Sequence, residues 1–286
     1  MIDVVLSFEY FIVAFGAGII GAIFGIGGGI IIVPALTILF GLDVHLAIGA
    51  SIVSVVATSL SATGTYVKEE KVNMRLGLFL EIGTAFGALL GAFIAVFLEE
   101  KVLFIIFSVV LLYAAYVMYQ SSKIPEHLQL ASENDWIAEK LHLDGKYPEI
   151  IRNTNNEEER INKPYPVQNT PHVFGISIGA GIASGLLGVG GGFIKVPTLV
   201  KVSKLPMKAA AATSNFMIGV TASTSAIVYL KHGYVYPVLA IPVAFGTLFG
   251  ALLGSVLVRY IHPTKLRAYF ALLLVLISIR LFIQGI

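Results

Sequence analysis

The sequence predicts an all-α polytopic membrane protein built from two inverted five-segment repeats. Each repeat holds a short or re-entrant helix broken by glycine, and a small cytoplasmic loop domain lies between them. Three observations carry this. Of 286 residues, 57% are hydrophobic and only 13% charged, about half the charged share of a soluble domain. Several apolar runs reach the roughly 20 residues that a membrane-crossing helix needs. One glycine-rich stretch occurs twice: Gly25-Ile26-Gly27-Gly28-Gly29 with Pro34, and Gly188-Val189-Gly190-Gly191-Gly192 with Pro197.

Composition also excludes function classes. A formal net charge of +2 does not point to nucleic acid. Without cysteine there is no disulfide, thiolate metal site or cysteine nucleophile. Met1-Ile2-Asp3 has no basic leader ahead of the first apolar segment, which is expected to be retained.

In chain order, the first repeat (1–120) reads as segments at 4–24, 28–40, 44–67, 72–98 and 102–119. The second of these is too short to span comfortably. Residues 121–171 change character, with nine acids and six bases, and form a solvated loop unit. Within it, Leu141-His142-Leu143-Asp144-Gly145-Lys146-Tyr147 alternates around an Asp-Gly pair and predicts a β-hairpin. The second repeat (172–286) holds segments at 172–188, 191–200, 207–230, 235–258 and 265–283.

The halves align without a gap when residues 16–98 are shifted by 163, with 28 of 83 positions identical. Pro34 falls on Pro197, Ser51 on Ser214, Thr58 on Thr221 and Tyr66 on Tyr229. A duplicated unit of this kind is the sequence mark of a transporter built from internal repeats. Lysine and arginine decide the orientation, because cytoplasmic loops carry the excess. If each repeat crosses an odd number of times, nine of these residues collect on one face and three on the other, the long loop aside. A single broken crossing by segments one and two gives seven against five. The sharper asymmetry predicts inverted repeats in a prokaryotic plasma membrane, both termini outside, and 121–171 in the cytoplasm. Whether segments one and two both span or form a re-entrant hairpin stays open.

These residues resemble the sulfite exporter TauE/SafE family of membrane transporters. The resemblance is carried by the two glycine clusters with Pro34 and Pro197, and by Ala212-Thr213-Ser214-Asn215-Phe216-Met217-Ile218-Gly219. It covers nearly the whole chain apart from the charged loop. It implies transport of a small sulfur-containing anion, sulfite or an organosulfonate being the leading cargo.

Three glycines in succession cost a helix about 1 kcal/mol each relative to alanine. A helix therefore ends at each cluster and a short one starts after it. The new helix presents unpaired N–H groups and a positive dipole end, an anion site that needs no charged side chain. Gly27, Gly28, Gly29, Gly190, Gly191 and Gly192 are the candidate substrate-binding backbone, with close packing as the alternative reading. By contrast, Gly83, Gly87 and Gly91, and their counterparts Gly246, Gly250 and Gly254, read as small-residue helix packing. Gly16-Ala17-Gly18-Ile19-Ile20-Gly21 matches a dinucleotide fingerprint in letters only, since no strand precedes it.

Lys195 has Ile32 as its repeat counterpart, and Glu81 has Ala244, so the duplication requires neither charge. An intramembrane ionisable residue is by default a functional candidate. Lys195 is expected at the substrate, or else snorkels to an interface. Glu81 either carries a coupling proton or pairs with Lys195. Ser51, Thr213, Ser214 and Asn215 are candidate oxyanion donors. Hydroxyls in membrane helices more often bond their own backbone or a neighbouring helix.

His45, His232 and His262 fall at loop ends without metal-ligand spacing, and no serine–histidine–acid or paired-carboxylate set points to an enzyme. Trp136 reads as local core or as a surface anchor. The expectation is a secondary transporter, an exporter, of a small oxyanion in the lipid bilayer, with no cofactor, metal or nucleic acid. An anion channel using the same site is the alternative. Self-association is left open.

Overall fold

The computed structural model describes residues 4–24, 27–121, 135–152, 158–257 and 263–286. The chain is mostly helical. The first half comprises α1 (Val4–Phe24), α2 (Gly29–Phe40), α3 (Val44–Lys68), α4 (Met74–Phe97) and α5 (Glu100–Ser121). A short helix α6 (Trp136–Lys140) and strands β1 (Gly145–Arg152) and β2 (Glu158–Tyr165) follow. The second half comprises α7 (Thr170–Leu187), α8 (Gly192–Lys201), α9 (Met207–Lys231), α10 (Pro237–Leu257) and α11 (Pro263–Gly285). Among the described residues, six helices are long and apolar enough to cross a membrane: α1, α3, α4, α5, α7 and α10. α9 is 25 residues long but has Thr213, Ser214, Asn215, Thr221, Ser223, Thr224 and Ser225 along it, and is not among the six.

The helix breaks fall where the glycines stand. Gly27, Gly28, Gly188, Gly190 and Gly191 all have φ between 67° and 78°, a left-handed conformation that side chains disfavour and glycine adopts freely. α2 starts after Gly28 and α8 after Gly191. Pro34 and Pro197 stand inside the two short helices, where each lacks the N–H for a backbone bond. α3 is capped at its start by Asp43, which accepts from His45 N at 2.8 Å and Leu46 N at 3.3 Å.

Helix pairing repeats across the molecule. α1 packs on α10 as α7 packs on α4; α3 meets α9, and α5 meets α11. The principal helix–helix contacts map onto one another when α1–α5 are exchanged with α7–α11; α7–α9, α3–α5 and α5–α7 have no counterpart of similar extent. α3 and α9 run antiparallel: Gly49 lies against Tyr234 just past the end of α9, while Ser59 donates to the Asn215 carbonyl. α5 and α11 are antiparallel as well: Ser278 Oγ is 2.8 Å from Ser108 O, and Gly285 at the end of α11 lies against the Lys101 carbonyl at the start of α5.

The glycine stripes are packing surfaces. A Cβ on Gly87 would drive into the Ile178 carbonyl of α7, and one on Gly250 into the Phe15 carbonyl of α1. α4 and α10 thus hold the two helices that end at the glycine clusters. Gly16, Gly18 and Gly21 are interior to α1, and Gly18 packs on Thr247. This is a small-residue helix contact, and among the described residues no strand–turn–helix unit surrounds it.

The hairpin differs from the sequence expectation. β1 and β2 pair antiparallel from Gly145↔Tyr165 to Arg152↔Glu158. Asp144-Gly145 therefore opens the first strand and is not its turn; the turn lies outside the described residues. Leu141 and His142 close α6, and Asp144 accepts from Val167 N at 2.8 Å, tying the entrance of β1 to the segment leaving β2. Local alternation was a fair strand signal, but the long-range clamp sets the register.

This unit docks on the helices. Ala138, Leu143, Tyr165 and Val167 share a buried cluster with Leu76 and Leu80 of α4 and Leu199 and Val200 of α8. Asn73 Nδ2 donates to Leu143 O at 2.7 Å, and Asp135 accepts from Thr170 N at 2.5 Å. Trp136 is exposed, with Lys140 Nζ 5.0 Å over its ring, which removes the local-core reading.

Candidate functional site

The two helix breaks meet. Gly27 and its counterpart Gly190 both face Val55 and Ile218, themselves repeat counterparts, between α3 and α9. A Cβ on Gly29 would stand 2.7 Å from the Gly188 carbonyl and 2.9 Å from Ser51 Oγ, so each break touches the other. Ser51 donates to that carbonyl at 2.8 Å, satisfying the last turn of α7. This joins a first-half hydroxyl to the second-half break.

A cavity of about 660 Å³ reaches this junction from one side. Its inner end is Gly27 and the first residues of α8, Gly192 and Phe193. Thr58, Ser61 and Thr65 of α3 and Asn215 of α9 line its walls, together with Gly18 and Gly21 of α1. Its mouth lies among Tyr66, Glu69, Lys71 and Lys208. Lys71 and Glu69 are an ion pair at 2.5 Å, while Lys208 is exposed. The site thus combines helix-start N–H groups, hydroxyls and an amide with two ammonium groups at the entrance, a donor-rich set suited to an anion. No group of histidine and acidic side chains among the described residues could hold a metal ion.

Of the expected site residues, Gly27, Gly192 and Asn215 line the cavity. Gly28, Gly29, Gly190 and Gly191 form the breaks behind it. Thr213 accepts from Asn73 N at 3.0 Å and holds the start of α4. Asn215 Nδ2 donates to Ala211 O at 3.0 Å. Ser214 is fully buried beside it and has no hydrogen-bond partner among the described residues.

Lys195 and Glu81 come together, away from the cavity. They are 3% and 4% exposed. Lys195 Nζ donates to Thr221 Oγ1 at 2.6 Å and stands 3.9 Å from Glu81 Oε2. Thr221 lies 2.7 Å from Glu81 Oε1, and Thr84 donates to Oε2 at 2.6 Å. Both carboxylate oxygens and the ammonium therefore have close partners, the condition under which a buried ion pair is tolerated. Lys195 lies within α8, near its start, and is not at an interface, which removes the snorkelling reading.

Sequence reasoning placed Lys71 and Lys208 only in the count of charges that fixes topology. Their place at the cavity mouth depends on α3 and α9 crossing antiparallel. A repeat-paired polar position next to a helix end, such as Tyr66, was the available signal. The bridging role of Thr221 had none, because residues 81, 195 and 221 are distant in sequence.

The family model described as sulfite exporter TauE/SafE matches residues 10–281. The chain is 28% identical over 280 residues to the probable membrane transporter protein YunE of Bacillus subtilis, covering 94% of this chain and 95% of that protein. A probable membrane transporter protein of Methanocaldococcus jannaschii is 27% identical over 271 residues, covering 90% and 88%. An 80-residue stretch is 38% identical to sulfite exporter TauE/SafE family protein 5 of Arabidopsis thaliana, covering 28% of this chain and 18% of that one. No solved structure matches the chain. With a helical membrane architecture and a family match spanning almost its whole length, the chain belongs to the sulfite exporter TauE/SafE family of membrane transporters.

Proposed function

We propose that this protein is a secondary transporter, acting as an exporter, of a small sulfur-containing oxyanion such as sulfite or an organosulfonate. The observation that carries the reading is the cavity of about 660 Å³ that ends on the two glycine breaks. Its donors are uncharged at the inner end and cationic at the mouth. The anion is held by the N–H groups at the start of α8 and by Asn215 and Ser61, joined by Thr58 when its hydroxyl turns from the Ser54 and Val55 carbonyls, and is drawn in by Lys71 and Lys208. Gly27, which lines the cavity, backs onto Val55 and Ile218, which do not; a buried apolar pair behind the site favours a carrier over an open anion channel.

Residues 1–120 and 172–286 are read as inverted repeats, supported by the antiparallel course of the matched helices α3 and α9 and of α5 and α11. The cavity mouth lies on the face rich in lysine and arginine. That face, with 121–171, is assigned to the cytoplasm of a prokaryotic plasma membrane and both termini to the outside. Loading from the cytoplasm fits export. The Glu81–Lys195 pair is the candidate coupling group, since a proton on Glu81 would release Lys195 from its buried partner.

Purified protein in liposomes, offered sulfite, organosulfonates and inorganic anions in turn, tests this. The expected result is saturable flux, accelerated by substrate on the far side, and weakened by Asn215→Leu. Non-saturating flux with measurable unitary conductance would establish the channel instead, and no anion flux would remove the reading.

A further inference from the structure

The cavity has a counterpart that is shut. Adding or subtracting 163 converts its lining into a second set of residues on the other half. Thr58 becomes Thr221, Ala62 becomes Ser225, Tyr66 becomes Tyr229, Ala211 becomes Ile48 and Lys208 becomes His45. Thr58 and Thr221 are both buried, but Ala62, Tyr66 and Ala211 are half-buried and Lys208 is exposed, whereas their counterparts Ser225, Tyr229, Ile48 and His45 are all buried. Backbone geometry is matched all the same: Tyr234 N bonds Tyr229 O at 3.0 Å, and Lys71 N bonds Tyr66 O at 3.0 Å. The two ends thus share one local chain path but differ in how the helices close over it.

We propose that these buried residues form a second vestibule for the same small anion, closed here by a Tyr229–Tyr234–His45 seal, and that the two vestibules open in alternation. The proposal rests on the transporter reading above. The seal is built from specific contacts. Tyr229 donates from its hydroxyl toward the carbonyls of Gly185 at 3.1 Å and Leu186 at 3.3 Å, which bolts α9 to the end of α7. Tyr234 stacks on His45 with centroids 4.8 Å apart, and His45 Nε2 is 3.1 Å from Ala95 O. Exchanging the arrangements of the halves releases this seal and closes the other mouth with Tyr66 on the carbonyl of Ala22, the counterpart of Gly185.

The exchange is not symmetric in energy. The counterparts of the stacked Tyr234 and His45 are Lys71 and Lys208. Closing the present mouth in the same way brings two ammonium groups together, a repulsion that Glu69 beside Lys71 offsets only in part. The empty protein therefore rests with the lysine mouth open, and an anion between the two lysines favours closure. In the opposite state Thr221, which bridges Glu81 and Lys195, lines the open vestibule. That gives the buried pair access to water from the other face.

The native chain has no cysteine, so single cysteines report each vestibule. In full-length detergent-purified protein without substrate, Ala62→Cys should react quickly with a soluble maleimide and Ser225→Cys slowly. Tyr229→Phe, which loses the hydroxyl bonds of the seal, should raise the rate at Ser225→Cys roughly fivefold for the loss of one net hydrogen bond, and lower the rate at Ala62→Cys by a smaller factor, because the state that exposes Ala62 is already the major one. Lys208→Gln is an exposed change that leaves the seal intact, and should move both rates in the same directions. A rise at Ser225→Cys without a fall at Ala62→Cys would mean local loosening or a path open at both ends, and overturns the proposal. Unchanged rates in both variants overturn it too. Reciprocal rates in a protein that moves no anion would uphold the exchange and remove only the transporter reading.

Discussion

Two corners of the molecule are related by the internal repeat and are chemically opposite. One holds Lys195, Thr221 and Glu81; its twin holds Ile32, Thr58 and Ala244. The twin needs no ion pair to start α2 after its glycines, because Gly28 and Gly191 have nearly the same φ, 74° and 70°. The charged corner is therefore an addition to a backbone design that works without it. Its three-residue bridge joins α4, α8 and α9, whereas Thr58 bonds only its own helix at Ser54 O and Val55 O. Of two equivalent corners, one is welded and the other is left to slide. The welded one lies away from the cavity, whereas Thr58 of the free one lines it.

The comparison breaks first if the shared scaffold is not what positions both corners. Gly87→Val and Gly250→Val force a side chain into a backbone carbonyl of the neighbouring helix. Overpacking costs about 1–3 kcal/mol even where side chains can yield, so these should exceed that and remove most folded protein from the membrane, measured by size-exclusion yield. Normal yields of both would mean that the α1–α10 and α4–α7 contacts are not what holds the breaks in place.

Next in size is the ion pair. Lys195→Ile or Glu81→Ala alone leaves a buried charge without its partner, a loss of about 3–5 kcal/mol. Making both changes copies the twin corner and should recover most of it. Melting of the substrate-free protein across all four variants gives the coupling energy. Additive losses would show that the pair is not a unit. If the double variant is stable but binds substrate normally and no longer accumulates it against a gradient, the pair serves coupling.

A smaller contrast separates the two threonines. Thr221→Val removes the bridge between charged groups and should cost about 1–3 kcal/mol. Thr58→Val gives up bonds to its own helix, so its melting should change by less than about 1 kcal/mol. Its effect should appear instead as weaker anion binding by calorimetry. Equal stability losses would make the corners equivalent after all.

The smallest effect concerns the docked β-hairpin unit, which lies against the charged half. Partial burial works to raise the Asp135 carboxyl, but hydrogen bonds from the backbone N–H groups of Thr170, Ala138 and Ile137 outweigh it and hold the group below its ordinary value. A depressed folded value stabilises docking above the unfolded value, and that contribution is lost as pH falls through the folded one. Proteolysis within 136–165 should therefore accelerate in acid below the ordinary aspartate range, with little change at neutral pH. Asp135→Asn should be cut faster at neutral pH and lose most of this acid response. An unaltered acid response in Asp135→Asn would show that other carboxylates anchor the unit.

The sequence by itself determined the membrane character, the duplication and nearly every helix boundary. These follow from local properties: apolar run length, glycine at positions of positive φ, and a repeat that shows directly in the aligned letters. It also determined that Gly83, Gly87 and Gly91 pack helices, since small residues at that spacing leave a groove. Three things waited for the tertiary structure. The register of β1 and β2 is set by Asp144 and Val167, 23 positions apart, which no local alternation encodes. The Lys195–Thr221–Glu81 bridge exists because three helices from both halves converge; the sequence left pairing of Glu81 with Lys195 as one of two readings, and the repeat does not decide between them, since two of the three counterparts, Ile32 and Ala244, are apolar. Which vestibule is open is a collective property of helix packing. Tyr66 and Tyr229 are the same letter at matched positions, yet one is half-exposed in a cavity and the other fully buried in a seal. The physical reason is that the repeat fixes the backbone path within each half, while the closure of one half over the other is settled only by the contacts between them.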